Sequence, residues 1–571
     1  MSTIVADRRD NLDEDSNVDR RWTGILVVGL GGMILAAAAA DHGRARGGGE
    51  AVLFDNLGTH EAPITTSSPR AQAFFNQGIR LCYAFNHEEA IRSFEAAAAE
   101  DGACAMAWWG TAFALGPNIN APMGEEAGRR AYAAARKAQS LAGGATAREQ
   151  AYIAAIVRRY AEEPPADRGA LDQAFADAMR EVHRAHPDDL DAATIFAEAL
   201  MDASPWSYWN EDGSPKPFTG ELLETLEGVL RRDPDHPGAN HLYIHAVEAS
   251  PSPERGLGSA FRLGELAAGA GHLVHMPSHI YLRLGMYDDA AESNKEAVQA
   301  DEDYLRLLTK KKLEIPPVYP AMYYSHNVHF LWYAQTMLGQ SAESLKQARK
   351  TAQVIREYAR HDMPMLEWMR AVPLADMLRF GRWDGILAED APPEEKLVET
   401  GIWRLARGVA YARRGDVESA SESSRRLSEL AEGAEASGLE SPQFPGRSVL
   451  RIAARLLSAE LAGAKGEADA QIEGLREAVK MQDKLPYMEP PYWYFPVRHY
   501  LGAALLDLNR CSEAEEVYRA DLKRNPRNGW ALFGLLQSLR RQGNPFAADV
   551  VQKEFDAAWR YADVALTASR F

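Results

Sequence analysis

Two histidines one helical turn apart, His241 and His245, recur 34 residues later as His275 and His279, and the pair His272 and His275 returns 54 residues on as His326 and His329. Side chains at i, i+3, i+4 and i+7 share one face of a helix. His241, His245 and Glu248 therefore form one stripe, and His272, His275, Met276 and His279 another. Imidazole is the commonest transition-metal ligand, and three or four imidazoles with a carboxylate suit copper, zinc or iron. The Met276 thioether tilts that choice to copper if it faces the same way. No HExxH string accompanies them, so the spacing is not one of the short metal signatures. Eight of the fifteen histidines fall within His236–His329. That density favours a metal centre drawn from His241, His245, His272, His275, His279, His326 and His329. The plainer alternative is a polar groove in which these histidines hydrogen-bond tyrosines and asparagines. Glu198, Asp202 and Glu248 are the candidate general bases if the site turns over a substrate.

Ligands on separate helices converge only if those helices repeat in register. Thirty-four residues is the length of one helix–turn–helix unit, and the chain supplies that unit's landmarks of turn residue, acidic pair and alanine in LGMYDDA (284–290), FNHEEA (85–90), RGDVESA (414–420) and LNRCSEA (508–514). Helix ends are punctuated by strings such as RRDPDHPGA and RNPRNGWALFG. On these strings the chain resembles the tetratricopeptide-repeat family over residues 69–560, with the full pattern of Trp, Leu-Gly, Tyr, Ala and Pro degenerate in most units. The resemblance implies an all-α, right-handed α-solenoid of about eleven to twelve helical hairpins. No stretch alternates with strand period. Pro277 should kink its helix or start it afresh. Inserts at 116–126, 204–220, 304–321 and 485–491 interrupt the array, and 304–321 is expected to act as a lid. The segment GANHLYIHAVEAS with AGHLVHMPSHIYLRLGMYDDAAESN also resembles a signature shared by a group of bacterial tetratricopeptide proteins, which implies the fold and export and no particular reaction.

In that family the first helix of each hairpin lines a concave groove through its second, fifth, ninth and twelfth places. Register set on the repeat alanines and on Pro234 puts His272, His275 and His279 at the second, fifth and ninth places, and His241, His245 and Glu248 at the fifth, ninth and twelfth. His326, His329 and Tyr333 follow at the second, fifth and ninth, and His499 takes a fifth place in a later repeat. The groove expected at 236–333 would thus bring seven histidines and a carboxylate to one pocket. Asn120 and Trp209 stand at loop mouths, where they line a substrate pocket, make Asx turns or pack between hairpins. Arg283, just past a twelfth place, is placed to grip a carboxylate or to pair with a neighbouring acid.

A formal charge of −18 argues against a nucleic-acid partner, since phosphate binding needs clustered Lys and Arg. The short run Lys310–Lys312 reads as a solvated loop. Cys82, Cys104 and Cys511 form no CxxC pair, and small core cysteines are expected rather than a Cys82–Cys104 bridge. Residues 1–21 form a polar tail. Residues 22–40, WTGILVVGLGGMILAAAAA after Arg20-Arg21, read as a signal peptide or a membrane anchor. Residues 41–68 read as a linker and 561–571 as a C-terminal tail. The protein is therefore expected to be exported or held in the cytoplasmic membrane, and cytoplasmic if residues 22–40 are no signal. Nothing in the sequence sets an oligomeric state. Two functions follow as expectations. One is a metal-binding solenoid, copper first and zinc or iron next, open to a small molecule for oxidative or hydrolytic chemistry. The other is a non-catalytic scaffold whose groove binds a peptide or protein partner.

Overall fold

The structure is a computed structural model that describes residues 51–359, 364–441 and 444–571. Twelve helix pairs follow one another among them, from Pro69–Tyr83 with His87–Glu100 to Gly529–Arg541 with Pro545–Ala558. The only strands among the described residues are Glu440–Ser441 and Phe444–Pro445, a two-residue antiparallel pair. The chain is an all-α helical solenoid of the tetratricopeptide type.

One backbone solution serves most of the hairpin turns. The second residue after the first helix is left-handed in Phe85, Gly285, Gly339, Gly381, Gly415, Gly466, Asn509 and Gly543, with φ between 53° and 79°. A left-handed residue there satisfies the helix's last carbonyls, which is why a small residue marks the turn in the sequence. The alanines that open the second helices, Ala90, Ala290, Ala420 and Ala514, are fully buried and let the paired helices approach closely.

Superhelical curvature brings the last hairpin back onto the middle of the array. Trp530 Nε1 donates to the Thr336 carbonyl at 3.0 Å, and the Asp563 carboxylate accepts from the amides of Ser341 and Ala342 at 2.7 and 2.9 Å. Gly285, at φ +70°, lies so close to this junction that a Cβ would stand 2.1 Å from the Pro526 carbonyl oxygen, whereas Gly415, at φ +77°, has nothing within 4 Å. Gly285→Ala is therefore expected to lower the denaturant midpoint clearly more than Gly415→Ala, because both strain φ and only the first meets backbone. Equal midpoints would show that the junction contributes nothing to stability.

The terminal segments differ from expectation. Residues 561–571 are part of the packed structure: the Ser569 hydroxyl donates to the His499 carbonyl at 2.7 Å, and Arg570 pairs with buried Glu460 at 2.6 Å. The last eighteen residues of the expected linker form a strap on the first hairpin, held because Gln72, Asn76 and Gln77 exchange amide bonds with its backbone at Ile64, Ala62, Phe54 and Val52. Side-chain-to-backbone bonds of this kind leave no periodic mark in the sequence. Residues 22–40 lie outside the described residues, and no helix among those described is long and apolar enough to cross a membrane. The three cysteines are free and buried. Lys310 and Lys311 close the helix Tyr287–Lys311, and Lys312 is its exposed left-handed cap.

Candidate metal centre

Three consecutive first helices carry the histidines. His236 caps Pro237–Glu248 by accepting from the Ala239 amide. Pro277 splits the second helix into Gly271–His275 and Pro277–Arg283, but Met276 between them keeps helical angles of φ −52° and ψ −36°. The proline nitrogen cannot donate a hydrogen bond, but His275 and His279 still meet, their ring centroids 4.8 Å apart. The third helix, Ser325–Met337, follows a π-helical turn at Pro320–Tyr324.

Six imidazoles from these helices close into two triads. His241, His245 and His272 form one, and His275, His279 and His326 the other; within each, one ligand atom per residue lies within 4.8 Å of the other two. His241 Nε2 stands 3.1 Å from His272 Nε2, and His275 Nε2 stands 2.9 Å from His279 Nε2. Four of the six rings are oriented through Nδ1. His241 Nδ1 donates to the Tyr83 carbonyl at 2.6 Å, and His275 Nδ1 to Asn294 Oδ1 at 2.7 Å. The Asn294 amide is itself fixed by donating to the Ala290 carbonyl. His245 and His279 both donate from Nδ1 to Glu248, one to each carboxylate oxygen, at 2.6 Å. A ring held by Nδ1–H presents a lone pair at Nε2, the arrangement by which outer partners orient metal-bound histidines.

That pattern has an electrostatic consequence. Burial drives His241, His272, His275 and His326 well below the ordinary imidazole value, and lowers His245. Burial would lower His279 too, but the charge and hydrogen bond of Glu248, aided by Glu489, push it up to about 9. Glu248 is held well below the carboxylate range, the cost of its burial outweighed by His279 and His245. Two Nε2 lone pairs at 2.9 Å repel unless something positive lies between them. A proton shared by the two nitrogens, or a cation ligated by both rings, would relieve that repulsion.

Rings under backbone strain press on the first triad. Phe85 takes the left-handed turn position at φ 53°, where most other turns have glycine, and Trp206 has φ 59°. Phe85 lies 4.4 Å from His241 and 5.4 Å from His272 between ring centroids, and Trp206 stands edge-on to His245 at 5.0 Å. Left-handed aromatic residues cost about 1–3 kcal/mol each and concentrate at functional sites.

A cavity of about 90 Å³ opens beside both triads. Its wall takes in His245, His272, His279, His326, Glu248 and Asn120, with an apolar remainder that includes Trp206, Met322, Leu366, Trp368, Met369 and Met488. The far side is closed by residues 487–490. Tyr487 donates to Glu248 at 3.0 Å, and Glu489, whose carboxyl burial raises, lies 3.5 Å from His279 Nδ1. The lid expected at 304–321 instead packs on the first hairpin and strap, with Tyr304 donating to Glu89 and Arg92 to the Glu314 carbonyl. The insert at 485–491 reaches the histidines, alongside Trp206 of 204–220 and Asn120 of 116–126. Its contribution crosses more than 200 residues and has no helical period, so the sequence shows only the insert.

Only some of the other expected site residues reach the cavity. Glu198 and Asp202 form a buried acid pair around Arg159, with Asp202 2.7 Å from the guanidinium, and neither lines the cavity. Glu248 lines the cavity and accepts from His245, His279 and Tyr487. His329 reaches the cavity wall outside both triads, stacked on Trp332, with Nε2 unpartnered. His499 sits between Arg379 and Asp521, each at 2.9 Å, so both its nitrogens are used away from the cluster. Trp209 donates to the Ala246 carbonyl and anchors an insert. Arg283 caps the Glu248 carbonyl and lies over Tyr487. Tyr333 lines an outer chamber with Arg283 and Tyr487. Asn120 accepts from Trp206 Nε1 at 3.2 Å. Met276 is buried in the apolar core and absent from the cavity wall, so its argument for copper falls away.

No family model matches the chain, and no curated protein matches it. Among solved structures, the human IFIT1 dimer with m7Gppp-AAAA is similar at 12% identity over 87% of this chain and 91% of that one, with a TM-score of 0.31. The APC/C hetero-tetramer Cut9-Hcn1 is similar at 11% identity over 73% and 95%, with a TM-score of 0.24. These are likenesses of helical architecture, and no ligand passes from them to this chain.

Proposed function

We propose that this solenoid is a metalloprotein whose two histidine triads bind a first-row transition metal, and that the adjoining cavity admits a small, mainly apolar molecule to it. The observation that carries the reading is the orientation of the rings. Buried histidines used only for packing need no common direction, whereas here Nδ1 of four rings is tied to fixed acceptors and their Nε2 atoms are left for the clusters. Imidazole ligation suits copper, zinc or iron, and a bound ion would supply Lewis acidity, an activated water or, for copper or iron, redox chemistry. The apolar wall, with Trp368 and three methionines, favours an uncharged ligand. Export or anchoring directed by residues 22–40 would place such a site where copper is at hand.

The test is elemental mass spectrometry of untagged protein beside the double variant His275→Ala, His279→Ala. Near-stoichiometric copper, zinc or iron, lost by a double variant with unchanged circular dichroism, is the expected result. Metal-free protein after reconstitution would overturn the reading. A second reading, a scaffold for a peptide or protein partner, is favoured by the solenoid itself and by the outer chamber. That chamber of about 560 Å³ is polar and lined by Arg283, Tyr333, Arg498, Asp521 and Arg524, a wall suited to an extended segment.

A further inference from the structure

We infer that the cluster holds two ions, one in each triad, coupled through the single carboxylate of Glu248. The inference rests on the metal-binding reading above and goes further in fixing number and partition. Six imidazoles sharing one ion would gather all their ligand atoms around a single point. Instead they close into two separate sets of three. The division lies in the ligand atoms and not in the rings, since ring centroids across it, 5.8 Å for His272 with His275 and 5.5 Å for His245 with His279, match those inside the sets, 6.1 Å for His245 with His272 and 5.8 Å for His279 with His326.

Within each set two of the three ligand atoms already stand near the separation of bound ligands, and the third lies within 4.8 Å of both. Ligands about 2.0–2.1 Å from a tetrahedral ion stand roughly 3.3 Å from one another, so the pairs at 3.1 and 2.9 Å need open by only a few tenths of an ångström. Three imidazoles leave a fourth position on each ion, and the cavity lies against both sets, touching His245 and His272 of one and His279 and His326 of the other. A ligand in the cavity would therefore meet two ions at once.

Glu248 makes the sets one unit. Its two oxygens each take an Nδ1–H, from His245 in the first triad and His279 in the second. The carboxylate thus touches one ring of each triad. A contrasting cluster shows that histidines near a carboxylate are not enough. His60 and His236 both face Asp191 Oδ1, at 3.0 and 3.3 Å, but His236 Nδ1 accepts from the Ala239 amide. Its Nε2 must then donate to Asp191 and has no lone pair to offer, so that group is a hydrogen-bonded clasp.

The experiment is metal stoichiometry on the full chain reconstituted with zinc(II) and, separately, copper(II). Wild-type protein is compared with His241→Gln, which removes a ligand from the first triad, and His326→Gln, which removes one from the second. Two ions in the wild type and about one in each variant is the expected result. A single ion in the wild type would overturn the two-ion inference while leaving the metal reading intact, and no ion would overturn both. Two ions retained by either variant would overturn the partition. Anomalous diffraction from wild-type crystals reads the same question without a variant: two separate peaks support the inference, and one peak overturns it.

Discussion

Glu248→Ala is expected to weaken metal retention in both triads together, by roughly ten- to a hundredfold, the usual effect of removing an outer partner of histidine ligands. The carboxylate is fully buried and accepts from His245, His279 and Tyr487. Its loss strands two Nδ1–H groups, frees both rings to rotate, and removes the charge that offsets two cations. Glu248→Gln should fall between, since an amide oxygen still accepts from one ring while its NH₂ group opposes the other. Competition with a chromophoric chelator measures both variants, and thermal melts show whether each stays folded. Retention equal to the wild type in a folded Glu248→Ala protein would show that the carboxylate does not orient the ligands. Loss from one triad alone would break the coupling argued above.

How much of this was legible in the sequence follows from what each residue depends on. The helix pairs, their turns and the faces of His241, His245, His272, His275, His279 and His326 are set by local periodicity, and a 34-residue repeat brings such faces side by side. The grouping into triads crosses helices: His272 joins His241 and His245 rather than its own neighbour His275. That depends on the angle between adjacent first helices, which no period records. His329 and His499 occupy groove places, yet aromatic rings around the first and the Arg379–Asp521 pair around the second direct them elsewhere. Glu198 and Asp202 point to Arg159, a residue outside the groove positions. Phe85 carried a readable signal that the repeat landmarks hid: a phenylalanine in the turn place that glycine or asparagine fills in the other seven turns of this kind. Tyr487 and Glu489 carried none, since an insert's destination depends on the closure of the whole superhelix.

The largest stability effect is expected at Arg159. Its guanidinium is 1% exposed, donates to Asp202 at 2.7 Å and to the Pro117 carbonyl at 2.8 Å, and lies over Phe175. Removing one partner of a buried pair leaves an uncompensated charge, which costs about 3–5 kcal/mol. Arg159→Met keeps most of the volume and isolates that electrostatic loss. The pH dependence gives the sign. Burial raises Asp202 to about 7, and burial with the Asp202 charge raises Glu198 to about 8, against roughly 4 for both in the unfolded chain. The folded state thus binds these protons more tightly, so the pair's contribution to stability is greatest below about pH 4 and declines as pH rises through 7 to 8. Without the guanidinium both acids should rise further, and the penalty should be larger at pH 8 than at pH 5, where both are protonated in the fold. Denaturant titrations at the two pH values measure this. Adding Asp202→Asn and Glu198→Gln to Arg159→Met should recover much of the loss at pH 8 and little at pH 5. An equal penalty at both pH values would mean that Arg159 acts through packing on Phe113 and Phe175, and that the acid pair is neutral across the range.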